Sequence, residues 1–458
     1  MNKTLMEKIA NFVAGIKFDD IPTAILENAL PCFIDGFGCM LAGALSPVTA
    51  IRASLASKSD REAHAFLPNP FMTDVPSAAC INGISAHYED FDDVSIVLRG
   101  HPSAVMVPTC LAVGEEQKSS GKKLLTAYII GVDVADYIAK HINPEHYSIG
   151  WHSTSTLGIF GATAAASYLM GLTVPQMANA LSIAASMSSG LKGNFGTMTK
   201  PYHAGLAAEQ SIIATYLAAA GMEANTNIFD DPAGYRRAYA GEDMEKRDIP
   251  DLSWETSAFA SSMLSLKPYP SCRGTHTAID ATLFLRETYD LKLEDIKKIN
   301  VYVQPIAADI VTYERVERPS QGKFCMSYCV AAALLDGTVN LDHFSEAQIQ
   351  RKDLRAVMDK TEMIVDLALS NGEYTDGTWK ARVEIVLIDG RKHEKIIVDA
   401  KGEPSNPMST KEIEQKFLQN ANRVMDQSSA NETLITLKNL TSIRNIMTLS
   451  TDIAQAMN

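Results

Sequence analysis

The sequence lacks the patterns that mark the common nucleotide and zinc sites. It contains no P-loop and no GxGxxG that follows a predicted strand, so a nucleotide cofactor is not expected. No histidine pair has the HExxH spacing, and the seven cysteines include no CxxC pair. Those spacings are typical of zinc ligands, so the sequence indicates no metal.

Positive charge and long apolar runs are also scarce. Lys and Arg total 41 against 54 Asp and Glu, a net charge of −13, which argues against nucleic acid or an anionic membrane as a partner. The longest apolar run, near residues 34–45, is interrupted by Asp35 and by glycines, which does not suit a membrane span. The N-terminus is amphipathic, unlike a signal peptide, and the odd number of cysteines suits free thiols in a reducing compartment. We therefore expect a cytoplasmic protein.

Length and composition indicate a mainly helical chain of more than one domain. The 458 residues exceed one ordinary domain. Hydrophobic residues make up 46% and aromatic residues only 7%, and Ala and Gly are frequent, which predicts helices packed closely through small side chains. Ser409 or Thr410 is expected to cap a helix that begins the C-terminal segment.

Changes in periodicity along the chain predict the domain organisation. Helical periods fill most of the first half, and residues 61–84 are mixed, with Pro68, Pro70 and Pro76 marking loop. Residues 297–304 alternate like a strand, 381–398 are typical of a hairpin, and 354–363 are predicted to be helical. The pattern predicts a mainly α fold with an inserted α+β domain, namely a helical domain of residues 1–267 and 405–458 and a smaller α+β lid domain of residues 268–404.

The first candidate site is the stretch 85–108, in which an acid run precedes a Gly-His-Pro turn. A carboxylate beside an imidazole sets its tautomer and favours a base suited to neutral pH, so Asp90 or Asp93 could form such a pair with His101. The alternative is a solvated acidic loop with a turn histidine. The sequence EDFDD also resembles the magnesium-diphosphate motif of all-helical terpene synthases, although the second acid cluster of those enzymes is missing here.

The second candidate is Lys200, which follows a loop containing Gly193 and Gly196. Pro201 predicts that Lys200 stands at a helix N-terminus, where the macrodipole and backbone N–H groups favour anions. His203 lies one turn further on. An ordinary surface lysine is the alternative.

The third candidate lies at the predicted domain junction, 266–280. Lys267, Cys272, Arg273 and His276 fall within ten residues that are constrained by prolines. Arg273 offers a bidentate fork to a carboxylate, and Cys272 and His276 can exchange protons. A rigid linker is the alternative. His152, whose alternative role is to cap a helix, and Tyr328, whose alternative role is core packing, carry weaker signals.

These stretches together resemble the MmgE/PrpD family. The segments are HYEDFDDV with GHPS, FGTMTKPYHAG, KPYPSCRGTHTAID and FCMSYCVAAALLDG, in the family's order. The resemblance implies a large helical domain, an inserted α+β lid, a homodimer and catalysis without metal or organic cofactor. It implies active-site roles for six residues: Asp90, His101, His152, Lys200, Lys267 and Tyr328.

Three positions depart from the family's cis-aconitate decarboxylase pattern. Val94 stands where that pattern has threonine, and Cys272 where it has histidine. The loop before His101 is one residue longer and carries Arg99. These departures favour another family activity, and they make Arg99 a candidate substrate contact.

The resulting hypothesis is a cofactor-independent lyase that acts on a small di- or tricarboxylate. His101, oriented by Asp90, is the predicted base that removes a proton alpha to a carboxylate, while Asp92 and Asp93 are assigned to structure. The predicted proton donors are Cys272, His276 and Tyr328, and the predicted substrate-binding residues are Arg99, His152, Lys200, His203, Lys267 and Arg273. A 2-methylcitrate dehydratase-like activity leads. The alternatives are an iminodisuccinate epimerase-like activity with His101 and Cys272 on opposite faces, a cis-aconitate decarboxylase-like activity and, more distantly, a non-enzymatic helical binding protein.

Overall fold

The fold is that of a computed structural model that describes residues 3–242, 244–260, 264–373 and 378–457. Backbone contacts divide the chain into two compact units. The first, here called the helical unit, comprises Met1–Tyr88, Asp92–Leu266 and Ser409–Asn458. The second, here called the α+β unit, comprises Glu89–Phe91 and Lys267–Met408. The predicted class, mainly α with a smaller α+β part, is confirmed.

Helices make up most of the helical unit. They span Leu5–Gly15, Thr23–Gly43, Pro47–Ala53, Val75–Tyr88, Ser103–Glu116, Gly121–Ile142, Glu145–Ser148, Ser153–Thr156, Gly158–Met170, Val174–Met187, Thr199–Ala219, Tyr235–Ala240, Thr410–Ala421, Gln427–Lys438 and Ile446–Ala456. Two antiparallel strand pairs join them, Lys58–Ala65 with Phe71–Thr73 and Val94–Ser95 with Leu264–Ser265.

The helix Val75–Tyr88 corrects the expectation that Pro76 marks a loop. Pro76 occupies the first turn of this helix, where proline is tolerated because the N–H that it lacks has no helical partner anyway. Nearly every residue of the helix is buried, so its sequence shows no amphipathic period. Because this helix has no polar face, hydrophobic periodicity did not indicate it.

Glycines bring two central helices into close contact. A Cβ on Gly205 would lie 2.3 Å from the carbonyl oxygen of Cys80, and a Cβ on Gly83 would lie 2.9 Å from the Cα of Gly205. The helices Val75–Tyr88 and Thr199–Ala219 can approach this closely only without side chains at the crossing. The expected packing through small residues is confirmed here, and it sets the positions of the polar residues that these two helices carry.

A buried ion pair ties the C-terminal segment to the helix Thr23–Gly43. Lys416 Nζ lies 2.7 Å from Asp35 Oδ1, and both side chains are almost fully buried. The helix that carries Lys416 begins with a capping box formed by Ser409 and Glu412, as the sequence predicted for this position. Among the described residues, Thr23–Gly43 is the helix long and apolar enough to cross a membrane, and 67% of its apolar window is buried inside the protein, as expected of a core helix.

The α+β unit is built on a four-stranded sheet. In spatial order its strands are Thr361–Val365, Ile296–Val303, Ala381–Leu387 and Lys392–Ile397. The first pair is parallel and the other two pairs are antiparallel. The helices of this unit are His276–Thr288, Pro305–Ile310, Pro319–Gly322, Met326–Asp336, Glu346–Ile349 and Lys352–Met358.

The predicted strand and hairpin are confirmed, and one predicted helix is partly wrong. The helix expected over 354–363 ends at Met358, and Thr361–Val365 forms an edge strand in parallel register with Ile299–Val303. Short 3₁₀ turns complete the chain at Phe18–Asp20, Lys192–Asn194, Trp254–Thr256, Arg273–Thr275, Leu293–Asp295, Leu341–Phe344, Leu367–Ser370 and Leu440–Ser442.

Candidate active site

Four imidazole rings of the helical unit lie in an unbroken row. The ring centroids are 4.7 Å apart between His101 and His87, 5.5 Å between His87 and His152, and 5.3 Å between His152 and His203. His87, His152 and His203 are buried, whereas the side chain of His101 is 13% exposed. The imidazole row therefore has its most accessible member at the His101 end.

One carboxylate serves two rings of this row. Oδ2 of Asp92 lies 2.7 Å from Nδ1 of His87 and 3.4 Å from Nδ1 of His101. Asp92 is fully buried, so the interaction is weakly screened. A carboxylate facing Nδ1 favours a proton on that nitrogen and leaves Nε2 to exchange protons. Asp92 therefore belongs to the candidate site, which corrects its assignment to structure alone.

The backbone at Gly100 positions His101. A Cβ on Gly100 would lie 2.7 Å from the backbone nitrogen of Thr154, so no larger residue fits without a shift of the chain. The N–H of His101 donates to Oγ1 of Thr154 at 3.1 Å, and Ser95 and Gly100 exchange backbone hydrogen bonds across the intervening loop. The turn that carries His101 is thus fixed against the segment that begins at His152.

Asp93 has the structural role that the sequence predicted for it. Its carboxylate accepts hydrogen bonds from the backbone N–H and the hydroxyl of Ser103, at 3.1 and 2.6 Å. Ser103 in turn shares a 2.6 Å hydrogen bond with the hydroxyl of Tyr128. Burial, followed by the charge of Asp92, raises the pKa of Asp93 to about 8 despite the bonds from Ser103. Asp93 therefore anchors the helix Ser103–Glu116.

Lys200, His152 and His203 meet in one buried group. Nδ1 of His152 lies 3.1 Å from Nδ1 of His203, and Phe195 packs its edge on His152, with ring centroids 4.9 Å apart. Nζ of Lys200 lies 5.4 Å from the Phe195 ring centroid. Lys200 is 5% exposed and stands in the first turn of Thr199–Ala219, as predicted. The structure therefore brings these predicted residues together.

Burial favours the neutral forms of His152 and His203. It lowers the pKa of His152 well below its ordinary value, with further lowering from His87 and Lys200. It also lowers the pKa of His203 to about 4. His152 makes no side-chain cap to the helix that follows it, which rules against its alternative role as a capping histidine. At pH 7 both rings are neutral hydrogen-bonding groups beside a cation.

Arg99 and Lys192 both lie over the aromatic ring of Tyr147. Lys192 was not among the residues predicted from the sequence. The guanidinium carbon of Arg99 is 5.9 Å from the ring centroid of Tyr147, and Nζ of Lys192 is 3.9 Å from the same centroid. Arg99 adopts φ 53°, in the left-handed region that non-glycine residues seldom occupy. The loop before His101 thus places a second cation beside the one on the Lys192–Asn194 turn.

In the α+β unit, Glu89 and Asp90, the first two acids of the acid run, form ion pairs with lysines. Nζ of Lys267 lies 3.1 Å from Oδ2 of Asp90 and donates to the backbone oxygen of Asp90 at 2.8 Å. Lys323 forms an ion pair with Glu89. Lys267 is 1% exposed. The expectation that Asp90 orients His101 joins residues of different units and stays a prediction, whereas the pairing of Asp90 with Lys267 joins two predicted site residues directly.

Arg273 and His276 are buried with partners in the same unit. Arg273 is ion-paired with Glu403, and burial lowers the pKa of this guanidinium to about 10. Nε2 of His276 donates to the backbone oxygen of Ser271 at 3.1 Å, and burial, followed by Arg273, lowers the pKa of His276 well below its ordinary value. His276 is therefore a neutral donor whose proton is directed at a carbonyl, and Arg273 already holds one carboxylate.

Cys272 and Tyr328 are both buried. The N–H of Cys272 donates to the backbone oxygen of Lys323 at 2.8 Å, so the cysteine is fixed beside a lysine that sequence reasoning missed. Tyr328 donates its hydroxyl to the backbone oxygen of His343, and burial raises its pKa above the ordinary value. All seven cysteines are free and buried, as predicted.

Two functional candidates of the helical unit, His87 and Asp92, had only weak sequence signals. His87 is the one histidine of the buried helix Val75–Tyr88, a position more typical of a core residue. Asp92 is one of four acids in a row of five, and no property of the sequence separates it from its neighbours. The five-residue spacing of His87 and Asp92 across a helix end is the signal that would have found them.

His87, Asp92 and His101 could also hold a metal ion. Among the described residues they are the group whose ligand atoms converge, all within 4.8 Å of one another. Two imidazoles and a carboxylate suit a transition metal better than magnesium. The aspartate-rich alternative needs converging carboxylates instead, and in the described residues each acid of the run serves a different protein partner.

Comparison with known proteins defines the class. The sequence matches the MmgE/PrpD N-terminal domain over residues 7–247 and the MmgE/PrpD C-terminal domain over residues 269–442. The chain belongs to the MmgE/PrpD family.

Its relatives include two kinds of lyase. The chain is 27% identical to cis-aconitate decarboxylase from Homo sapiens, over 98% of this chain and 95% of that protein. It is 23% identical to cis-aconitate decarboxylase from Aspergillus terreus, over 93% and 91% of the two chains. It is 23% identical to 2-methylcitrate dehydratase from Escherichia coli (strain K12), over 72% of this chain and 71% of that protein. The relatives are thus a decarboxylase and a dehydratase.

Proposed function

We propose that the protein is a cofactor-independent lyase that forms a carbanion beside a carboxylate of a small di- or tricarboxylate. The observation that carries this proposal is the buried Asp92 carboxylate shared by His87 and His101. A carboxylate behind an imidazole is the arrangement that general-base catalysis uses to fix a tautomer and to stabilise the imidazolium that forms. The lyase names of the relatives support the same class.

The residues of the helical unit supply what this chemistry needs. A carbon acid beside a carboxylate is weak, so the developing charge must be met by cations and donors in a site poor in water. Lys200, 5% exposed, binds a substrate carboxylate, and the neutral His152 and His203 offer hydrogen bonds rather than competing charge. His101 takes the proton at Nε2, because Nδ1 faces Asp92.

The α+β unit carries the remaining residues to which the sequence assigns roles in this chemistry. Lys267, held by Asp90, is the second cation for a substrate carboxylate. In a dehydration the hydroxyl on the neighbouring carbon departs with a proton from an acid, for which Cys272 and Tyr328 are the candidates, and the electron pair of the broken C–H bond forms the alkene. His276 and Tyr328 are weaker candidates than Cys272, because their protons are already directed at the backbone oxygens of Ser271 and His343.

Two lyase reactions remain in competition, and each rests on a different observation. Val94 and Cys272 depart from the decarboxylase pattern, which favours a 2-methylcitrate dehydratase-like reaction. The likeness to human cis-aconitate decarboxylase extends over nearly the whole chain, which favours decarboxylation as the second candidate. Epimerisation of a diacid would use the same base and stays a third possibility.

Product analysis by NMR tests the proposal. The purified protein is incubated with 2-methylcitrate, with cis-aconitate and with an epimerisable diacid, in buffer with and without EDTA. We expect turnover of one of them that survives EDTA, and we expect Lys200→Ala to abolish it while Lys411→Ala, at an exposed lysine, leaves it intact. Activity lost in EDTA would favour the metal-dependent alternative, and turnover unaffected by Lys200→Ala would contradict the proposed substrate contact.

We further propose a cytoplasmic homodimer. The seven free, buried thiols support a reducing compartment. Light scattering coupled to gel filtration would give twice the chain mass of 49.8 kDa if the dimer forms. A mass near that of one chain at micromolar concentration would contradict it.

A further inference from the structure

A cavity opens beside the N-terminal helix, and none of the four histidines of the imidazole row lines it. It has a volume of about 260 Å³ and lies among the start of Leu5–Gly15, the end of Gly121–Ile142 and the segments 227–230 and 246–249. Ligand pockets usually measure about 300–1,000 Å³, so this one suits a small ligand. All of these segments belong to the helical unit.

Positive charge predominates around the cavity. Four cationic side chains line it, against the two carboxylates of Asp230 and Asp248, and the cations are Lys3, Lys8, Lys246 and Arg247. Asp230 is already neutralised by ion pairs with Arg236 and Lys246. In a protein of net charge −13, such a local excess of cations is not a consequence of composition.

A buried histidine faces this cavity without a protein partner. His141 is 5% exposed, and neither of its ring nitrogens has a hydrogen-bond partner among the described residues. Its ring is held edge-on by Tyr137, at a centroid distance of 4.9 Å, and by Phe229 at 6.1 Å. Burial, followed by Arg236 and Lys246, lowers the pKa of His141 to about 4, so the ring is neutral at pH 7 and has an N–H to donate.

We propose that this cavity binds a small oxyanion, a phosphate or carboxylate group, between His141 and the lysines of its rim. An anionic oxygen accepts the N–H of His141, which otherwise stays buried and unsatisfied. The lysines and Arg247 supply the opposing charge, and Lys3–Leu5, at the N-terminal end of an eleven-residue helix, adds the favourable end of the macrodipole.

The ligand would be an anion rather than a cation or an apolar group. A metal ion would meet four positive side chains, and an apolar group would leave His141 unsatisfied. Arg247 already binds Glu145 and the backbone oxygens of Lys140 and Asn143. It therefore contributes positive electrostatic potential to the cavity rather than a new hydrogen bond. Lys3 at the rim can close on the anion, and Lys8 can do so by exchanging its exposed ion pair with Asp251, at 2.8 Å, for the ligand.

Isothermal titration of the full-length protein at constant ionic strength tests this site. Inorganic phosphate is the probe in one arm and citrate in the other. We expect saturable binding in at least one arm, weakened tenfold or more by Lys3→Glu combined with Lys8→Glu and also by His141→Gln. A double variant of equal charge change at exposed lysines elsewhere, Lys292→Glu with Lys411→Glu, should bind as the unchanged protein does.

The outcomes separate this site from the proposed catalytic one. Lys200→Ala should retain the binding, because Lys200 does not line this cavity. Tighter binding in the phosphate arm would identify a phosphate group as the ligand, and binding of citrate alone would identify a carboxylate. The inference is overturned if neither probe gives saturable heat, if the control pair weakens binding as much as the Lys3 and Lys8 pair, or if Lys200→Ala alone abolishes it.

Discussion

Oδ2 of Asp92 lies 3.4 Å from Nδ1 of His101, and the same oxygen accepts from His87 at 2.7 Å. Asp92 thus has one imidazole as a permanent partner and a second, less buried imidazole at the edge of the row. His87 holds the carboxylate in place, and the carboxylate is placed to hold His101. Single substitutions can therefore separate the contact of Asp92 with His87 from its contact with His101.

Replacing Asp92 by Asn should lower kcat without a comparable rise in KM. Loss of the carboxylate removes the charge that stabilises a protonated His101 and the acceptor that fixes its tautomer, which in general-base catalysis is worth about 10²–10⁴-fold. Steady-state kinetics on the substrate found by NMR measure the effect. The matched control is Asp93→Asn, which should keep most of the activity, because Asp93 bonds to Ser103. Equal losses in the two variants would show that Asp92 acts only through folding.

Stability should fall as the pH rises if Asp93 is buried as a neutral acid. Its pKa is 3.8 in the ordinary case and about 8 in the folded protein. Between those values the folded protein holds a proton that the unfolded chain has released, so the contribution of Asp93 is largest below pH 3.8 and is lost as the pH rises through 8. Each pH unit in this window removes at most about 1.4 kcal/mol.

Urea denaturation of the wild-type protein and of Asp93→Asn at pH 5 to 9 checks this directly. The asparagine cannot ionise, so the free energy of unfolding of the variant relative to wild type should rise with pH. Asp133 and Asp136, whose pKa values burial raises to about 7 and about 6, act in the same direction. A relative stability that does not change with pH would show that Asp93 is ionised in the fold.

Gly100→Ala should displace His101. The added methyl would lie 2.7 Å from the backbone nitrogen of Thr154, and overpacking of this kind costs about 1–3 kcal/mol. We expect a lower melting temperature together with a fall in kcat. Gly15→Ala serves as the control, since nothing lies within 4 Å of the position that its added methyl would take and neither property should change. Full activity in Gly100→Ala would mean that the turn does not position the base.

The buried pair of Asp35 and Lys416 should show strong coupling. Lys416→Met leaves an unpaired carboxylate in the core, and breaking a buried pair from one side costs about 3–5 kcal/mol. Adding Asp35→Asn should recover a large part of that loss. Lys438→Met, at an exposed pair with Glu414, should cost about 0–1 kcal/mol. Additive effects of the two core substitutions in a double-mutant cycle would contradict the coupling.

Elements with local signals could be predicted from the sequence, and elements defined by distant partners could not. Ser409 and Glu412 cap the helix Thr410–Ala421 through contacts three residues apart, which a sequence displays directly. Thr361–Val365 is a strand because Ile299–Val303 lies beside it, and that pairing spans about sixty residues of chain. The buried helix Val75–Tyr88 has no polar face, so periodicity gave no sign of it.

The same distinction applies to the candidate site. Pro201 predicts a helix N-terminus at Lys200, and glycine and proline predict a fixed turn at His101. The choice between Asp90 and Asp92 is not local, because the chain passes from one unit to the other within the acid run. Asp90 consequently pairs with Lys267, while Asp92 faces the imidazoles.

Solvent deuterium exchange is the most direct test of whether His101 is the base. Di- and tricarboxylates are incubated in D2O with the wild-type protein, with His101→Asn and with Lys411→Ala, and deuterium on the carbon beside a carboxylate is followed by NMR. Reversible removal of that proton exchanges it with solvent in dehydration and epimerisation, and decarboxylation replaces the departing CO2 with a solvent proton, so we expect label with the wild-type protein and with Lys411→Ala. We expect the label to fall at least about 10²-fold in His101→Asn. Undiminished label in His101→Asn would contradict the assignment of His101 as the base.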